Sequence, residues 1–161
     1  MNKYSGVRTR PASISDKEFI ISLLPRLVEF GPPSWRDVAQ MTAIDTQVLS
    51  NGLLSQSPGT AIFIAEDAEG VALGFIHLQT GTDYYMREKH GHIADLVVAR
   101  DGEGQGVGSA LIAKGEEWAR SQRYRCLTLN VFAQNLRARE IYKQHGYGED
   151  VMKYVKDLQN S

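Results

Sequence analysis

Gly102, Gly104, Gly106 and Gly108 punctuate the segment Val98-Ala99-Arg100-Asp101-Gly102-Glu103-Gly104-Gln105-Gly106-Val107-Gly108-Ser109, which joins an apolar strand pattern to a helix pattern. Glycines let a backbone approach a ligand closely. The first amides of a helix point outward without partners, so a phosphate placed there meets N–H donors and the positive end of the helix dipole. In the helix that follows, Val107, Ala110, Leu111, Gly115, Trp118 and Ala119 recur at steps of three and four, which docks its N-terminus against a sheet. The segment therefore reads as a rigid anion cradle. Spacing narrows the anion. Gly108 is followed by Ser109 and Ala110, so the Lys of a P-loop is missing, and the third glycine of G-x-G-x-x-G counted from Gly104 would fall at Ser109. ATP or GTP hydrolysis and dinucleotide binding are both disfavoured.

The rest of the chain supplies a sheet for this helix. Val7 to Arg10 predicts a short strand, and Ser15 is expected to cap a helix from Asp16 to about Phe30, ended by Gly31-Pro32-Pro33. Ser34 opens a second helical stretch to about Leu54, with Asp45, Asn51 and Gly52 weakening its later part. Thr60 to Glu66 and Val71 to Leu78 predict a hairpin across Asp67-Ala68-Glu69-Gly70, and Gly81 to His90 a loop. A strand from His92 to Ala99, a helix from Gly106 to Ser121 and a strand from Cys126 to Phe132 follow. Asn135 to about His145 is a helix stopping at Gly146, and Tyr147 to about Asp157 is expected to give one or two closing strands. The order β-α-α-β-β-β-α-β-α-β-β predicts an α/β mixed sheet with helices packed against it, residues 1–161 forming one domain.

Two motifs in this frame resemble the GNAT superfamily of acetyl-CoA-dependent N-acetyltransferases. The first is similar to motif A of that family, a strand ending V-x-x-x-x and then [Q/R]-x-x-G-x-[G/A] opening a helix: Val98 to Gly102, then Glu103-Gly104-Gln105-Gly106-Val107-Gly108. The second, Asn135-Leu136-Arg137-Ala138-Arg139-Glu140-Ile141-Tyr142-Lys143-Gln144-His145-Gly146-Tyr147, resembles N-x-x-A-x-x-x-Y-x-x-x-G-[F/Y]. The resemblance covers about residues 60 to 150 and implies a GNAT-like fold with acetyl-CoA as cosubstrate and no metal. It implies that the amides from Glu103, Gly104, Gln105, Gly106, Val107, Gly108 and Ser109 hold the pyrophosphate. Backbone around Leu96, Val97 and Val98 would face the thioester, and Asn135, Ala138 and Tyr142 the pantetheine arm. It also gives Tyr142 the role of general acid toward the departing thiolate, which suits a phenol that is neutral at pH 7. One departure stands out: Glu103 occupies a position where the family carries Gln or Arg, and a carboxylate facing inward there repels a pyrophosphate. Arg100 and Lys114 are the nearby cations that sequence suggests.

An amine acceptor must also lose a proton. His92 lies six residues before Val98, where several members carry a catalytic Glu or His, and Asp95 resembles the acid of the D-L-x-V variant, able to attract a cationic amine. Their odd spacing places them on opposite faces unless a bulge intervenes, and a water relay could replace both. Acceptor contacts implied by the family fall on Glu29, Trp35, Asp83, Tyr84, Tyr85 and Met86, acid and aromatic groups compatible with a small cationic or aromatic amine. A protein N-terminus or lysine is the alternative acceptor, and Asn130, where N-terminal acetyltransferases often carry Glu, counts against the former. His90-x-His92 lacks third and fourth ligands for zinc.

Composition adds exclusions. Eighteen basic against nineteen acidic side chains give a formal charge of -1, without the basic surplus of a nucleic-acid binder. No apolar run reaches the roughly 18 residues of a membrane span. Cys126 is the only cysteine, so no intrachain disulfide forms, and its setting suggests a small buried hydrophobe. These features read as a cytoplasmic protein without a nucleic-acid or membrane partner, a homodimer being left open. Two rival readings remain, a CoA-binding module without turnover and a nucleotide-binding regulator.

Overall fold

The computed structural model describes residues 6–159. Buried backbone groups must pair, and among the described residues they do so in a sheet ordered β1-β2-β3-β4-β5: β1 Arg8–Pro11, β2 Ala61–Glu66, β3 Ala72–Thr82, β4 Lys89–Val98 and β5 Leu127–Leu129. The first four are antiparallel to their neighbours, and β5 runs parallel to β4. The helices are α1 Lys17–Ser22, α2 Val38–Leu54, α3 Val107–Ser121 and α4 Leu136–Gln144. Alternation along the strands splits the core into two layers. Leu73, Ile76, Leu78 and Ile93 meet Val107, Leu111 and Trp118 of α3. Ile64, Phe75 and Val97 meet Ile20 of α1, Leu24, and Leu49 and Leu53 of α2 on the other face. None of these helices is long and apolar enough to cross a membrane.

The predicted first helix breaks in two. Pro25 has no N–H to give and restricts the residue before it, so α1 ends at Ser22 and a 3₁₀ turn over Leu24–Val28 follows. The second helix starts later than Ser34: Asp37 caps it, its Oδ1 accepting from the amides of Ala39 and Gln40 at 2.9 and 3.2 Å. Asp45, Asn51 and Gly52 do not interrupt it. The expected loop from Gly81 to His90 is shorter than predicted, because pairing continues to Thr82↔Lys89 and leaves a six-residue turn, 83–88, shaped by Asp83.

The last expected strands are not formed. β5 is only three residues long, and no strand follows it among the described residues. Strand propensity counts only where an edge is there to be paired, and Val151, Met152, Tyr154 and Leu158 lie exposed instead. Cys126, expected to be buried, precedes β5 and is exposed.

An ion-pair cluster ties β1 to its neighbours. Arg10 grips Asp16 through both terminal nitrogens at 2.9 Å, and its Nε donates to Glu66 at 2.8 Å, while Arg8 takes the other Glu66 oxygen at 2.8 Å. Hydrogen bonds from Arg10 hold both carboxyls below their ordinary range, against the opposing effect of burial. A depressed carboxyl contributes stability above its unfolded pKa, about 4, and loses it as pH falls through the folded value. Arg10→Met should therefore cost about 1–2 kcal/mol at pH 7, kept low by the partial exposure of Arg10. Urea unfolding should show a smaller difference at pH 3, and equal losses at both pH values would refute the pairing as the cause.

Candidate active site

β4 pairs with β5 only through Gly91↔Leu127, His92↔Thr128 and Ile93↔Leu129. Beyond Ile93 the two strands part, so the stretch of β4 from Ala94 to Val98 has no strand partner on that side. The open edge of β4 backbone beyond that point is the candidate cleft. β4 then runs through a 3₁₀ turn, Arg100–Gly102, into the glycine segment. Gly104 and Gly106 take φ of 76° and 79°, a left-handed conformation that side chains resist. A Cβ on Gly102 would sit 3.0 Å from the Leu73 carbonyl oxygen. The cradle is thus fixed by backbone shape, with Gly106 as N-cap of α3 and Val107 and Leu111 anchoring that helix in the core.

The parting of the strands coincides with a register shift. His77 pairs with Asp95, but Leu78 pairs with Ile93, so β4 carries one extra residue there. A bulge of this kind reverses the alternation. His92 and Asp95, three apart, consequently share the face opposite Ile93, Leu96 and Val98, which pack toward α3. Asp95 Oδ2 lies 3.1 Å from Nδ1 of His77, a histidine only 3% exposed. Asp45 on α2 completes the group: burial first, and Asp95 second, raise its pKa, while His77 opposes them. Sequence reading missed His77 and Asp45. A histidine amid the apolar run of β3 and an aspartate at helical spacing from Leu49 were the available signals.

His92 belongs to a small hydrogen-bond network with Thr128 and His90. Its Nδ1 is 2.8 Å from Thr128 Oγ1, Thr128 donates to the Gly91 carbonyl at 3.4 Å, and His90 Nδ1 lies 2.9 Å from that same oxygen. When Thr128 gives its proton to the Gly91 carbonyl, His92 donates from Nδ1 and its Nε2 lone pair is free. Burial, then the charge of His90, lower the His92 pKa, and Asp95 opposes them.

The second motif lies on α4. Asn135 caps it, accepting from the Ala138 amide at 3.1 Å, and Gly146 ends it with φ of 87°. α4 is linked to α3 by His145 Nε2 to Ser109 Oγ at 3.0 Å, and just beyond it by Tyr147 to Glu116 at 3.3 Å. Tyr142 stacks edge-on against Tyr147, and burial pushes its phenol up to about 12. No hydrogen bond joins Tyr142 to β4 or to the cradle among the described residues.

The proposed acceptor residues divide. Glu29 is committed to Arg100 at 2.7 Å, beside the glycine segment. Trp35 stacks under Arg36, whose guanidinium also approaches Phe132 just beyond β5. Asp83 shapes the β3–β4 turn, leaving Tyr84, Tyr85 and Met86 exposed. Lys114 lies over Phe63 and pairs with Glu117, while Glu103 pairs with Arg26.

Comparison with known proteins bears on the family and the fold. A family model described as Acetyltransferase (GNAT) family matches residues 24–147. An uncharacterized N-acetyltransferase of Bacillus subtilis (strain 168) is 31% identical over 91 residues, covering 56% of this chain and 60% of the relative. N-acetyltransferase 8 of Homo sapiens is 28% identical over 130 residues, covering 80% of this chain and 56% of the relative. The chain thus spans less than two thirds of either. An aminoglycoside N-acetyltransferase solved in complex with CoA shares the fold, with a TM-score of 0.69, 20% identity, and 97% and 98% of the two chains covered.

The acidic group makes a direct prediction. Asp45 should titrate above the ordinary carboxyl range, and Asp95→Asn should bring it part of the way down, since one of its two raising influences is removed. Carboxyl ¹³C NMR titration checks this. An unmoved Asp45 in that variant would separate the two residues.

Proposed function

We propose that this chain, which belongs to the acetyltransferase (GNAT) family, transfers an acetyl group from acetyl-CoA to a primary amine of a small molecule by direct attack in a ternary complex. The observation that carries this reading is the cleft where β4 leaves β5, running directly into a backbone-lined anion cradle. A long thioester with a pyrophosphate at one end fits that continuity: polar backbone along the arm, unpaired amides at the phosphates.

Acetyl-CoA supplies the acyl group. The amides of Gly104 and of Gly106 to Ser109 bind and orient the pyrophosphate, those of Glu103 and Gln105 being donated to the Arg100 and Gly102 carbonyls, and backbone from Leu96 to Val98 steadies the carbonyl oxygen as it gains charge. Asp95, with Asp45 behind it, attracts the acceptor as its ammonium, which gives one proton to solvent before the nitrogen has a lone pair with which to attack. As the C–N bond forms, His92 Nε2 takes the proton that the amine gives up. As the C–S bond breaks, the Tyr142 phenol gives its proton to sulfur, a role supported by burial, which keeps the group protonated at neutral pH. For Tyr142 to act so, its hydroxyl must come to the sulfur when the cleft fills.

The testing experiment is thiol release from acetyl-CoA over polyamines, aminoglycosides, amino acids and peptide N-termini. Tyr142→Phe should lower kcat by about 10²–10⁴ on any accepted amine with little change in CoA affinity. Full turnover in that variant would reduce Tyr142 to a packing residue, and CoA binding without thiol release would favour a binding module.

His92 sets the pH dependence. Only its neutral form accepts a proton, so kcat/KM should rise with pH through its ionisation, and the lowered value places that limb below the ordinary imidazole value of about 6.5. His92→Ala should slow catalysis and remove the limb, with deprotonation of the amine itself excluded by using the same amine in both proteins. A retained limb at full rate would pass the role to Asp95 or water.

A further inference from the structure

Glu103 sets a problem for the cradle: it is a carboxylate at the entrance of a loop whose backbone is shaped for an anion. Its partner is Arg26, whose Nη2 donates to Glu103 Oε1. The two residues are 77 apart in the chain, and what brings them together is the break at Pro25, which turns the backbone into the 3₁₀ segment Leu24–Val28 instead of continuing α1. Arg26 is mostly enclosed there, its side chain 19% exposed.

The guanidinium is only half satisfied. Its Nη1 is buried without a hydrogen-bond partner, the one such side-chain atom among the described residues. Glu29 Oε2 stands off from it at 3.8 Å, and the other Glu29 oxygen serves Arg100 at 2.7 Å. A buried donor left unpaired is costly, and phosphate oxygens are among the strongest acceptors for a guanidinium. The cations that sequence suggested for this task are engaged elsewhere: Arg100 with Glu29, and Lys114 with Glu117 and the Phe63 ring.

We propose that Arg26 is a pyrophosphate ligand of the cradle, held beside it by Glu103, so that the cation comes from the turn before α2 and not from the glycine segment. This rests on the reading that CoA binds at the free amides of the glycine segment. When the pyrophosphate arrives, the guanidinium swings its unpaired edge toward a phosphate oxygen, and Glu103, 36% exposed, is left to solvent. Glu103 is then a positioning residue. The competing explanation gives Arg26 a passive part, cancelling the repulsion that Glu103 would exert on the phosphates.

A double-mutant cycle read by calorimetry with CoA separates the two. If Arg26 is a ligand, Arg26→Gln weakens CoA binding by about 10-fold or more, the scale of one charge-assisted hydrogen bond, and it does so in the Glu103→Gln background as well. If Arg26 only cancels a charge, the loss vanishes once Glu103 is neutral, and the assignment is overturned. Dephospho-CoA should show the same loss, because it keeps the pyrophosphate; a loss confined to CoA would move the contact to the 3′-phosphate and refute the proposal. Arg26→Lys, which keeps charge without the fork, should recover part of the affinity. Thermal melts of each variant, expected to match the unaltered protein within a few degrees, exclude unfolding as the cause. Failure of the unaltered protein to bind CoA would remove the functional reading itself, whereas normal binding with an indifferent Arg26→Gln removes only the role of Arg26.

Discussion

Parallel strands are held by evenly spaced hydrogen bonds, so the separation of β4 from β5 after Ile93↔Leu129 leaves the backbone groups of Ala94 to Val98 that point away from β3 without a strand to pair with. The bulge opposite His77 falls at the same place. One extra residue ends the pairing and also turns His92 and Asp95 onto a common face, so that the cleft and the side chains beside it have one cause. The position of α3 follows from the far end of the same strand. β4 delivers the chain into the glycine segment at the core's edge, and Val107 and Leu111 bury the helix that begins there. A ligand lying along the open backbone of β4 would therefore end at the unpaired amides of α3.

The glycine segment and the second motif were legible in the sequence because their geometry is local. Left-handed turns need Gly at defined positions, and a cap such as Asn135 acts within one helical turn. Their resemblance to a known family then carried the fold. What was missed depends on neighbours. The bulge could be named only as an alternative from β4 read by itself, since it is a relation between two strands; plain alternation puts His92 and Asp95 on opposite faces, and the bulge brings them to one. Asp45 looked like a flaw in a helix pattern, whereas in the fold it lies one turn before the buried Leu49 and faces Asp95 and His77. Pro25 was a local signal within the predicted first helix that the apolar spacing overrode. The closing strands failed for the opposite reason: the residues after Gly146 have strand character, but a three-residue β5 offers little edge to pair with.

Charge placement shows how a chain with a formal charge of -1 can be fitted to a polyanionic ligand. A basic surplus would attract phosphates from a distance and would also attract other polyanions. Here the cradle relies on oriented amides at the start of α3, while the charged groups around it form an alternating series, Glu103 to Arg26, Arg26 to Glu29, Glu29 to Arg100. Two cations and two anions cancel at long range, so the series adds little to the approach of a ligand. At contact distance cancellation no longer holds, because a phosphate oxygen meets one guanidinium edge and not the sum of the cluster. The carboxylates then fix where the guanidinium groups sit, and recognition becomes a matter of geometry. The side proposed for the acceptor has the opposite composition: Asp45 and Asp95 lie near one another, with His77 in contact with Asp95. One region is shaped for an anion and the other for a cation, on the two sides of a cleft opened by a single bulge, and that polarity would orient a negatively charged thioester and a positively charged amine toward each other before any bond is made.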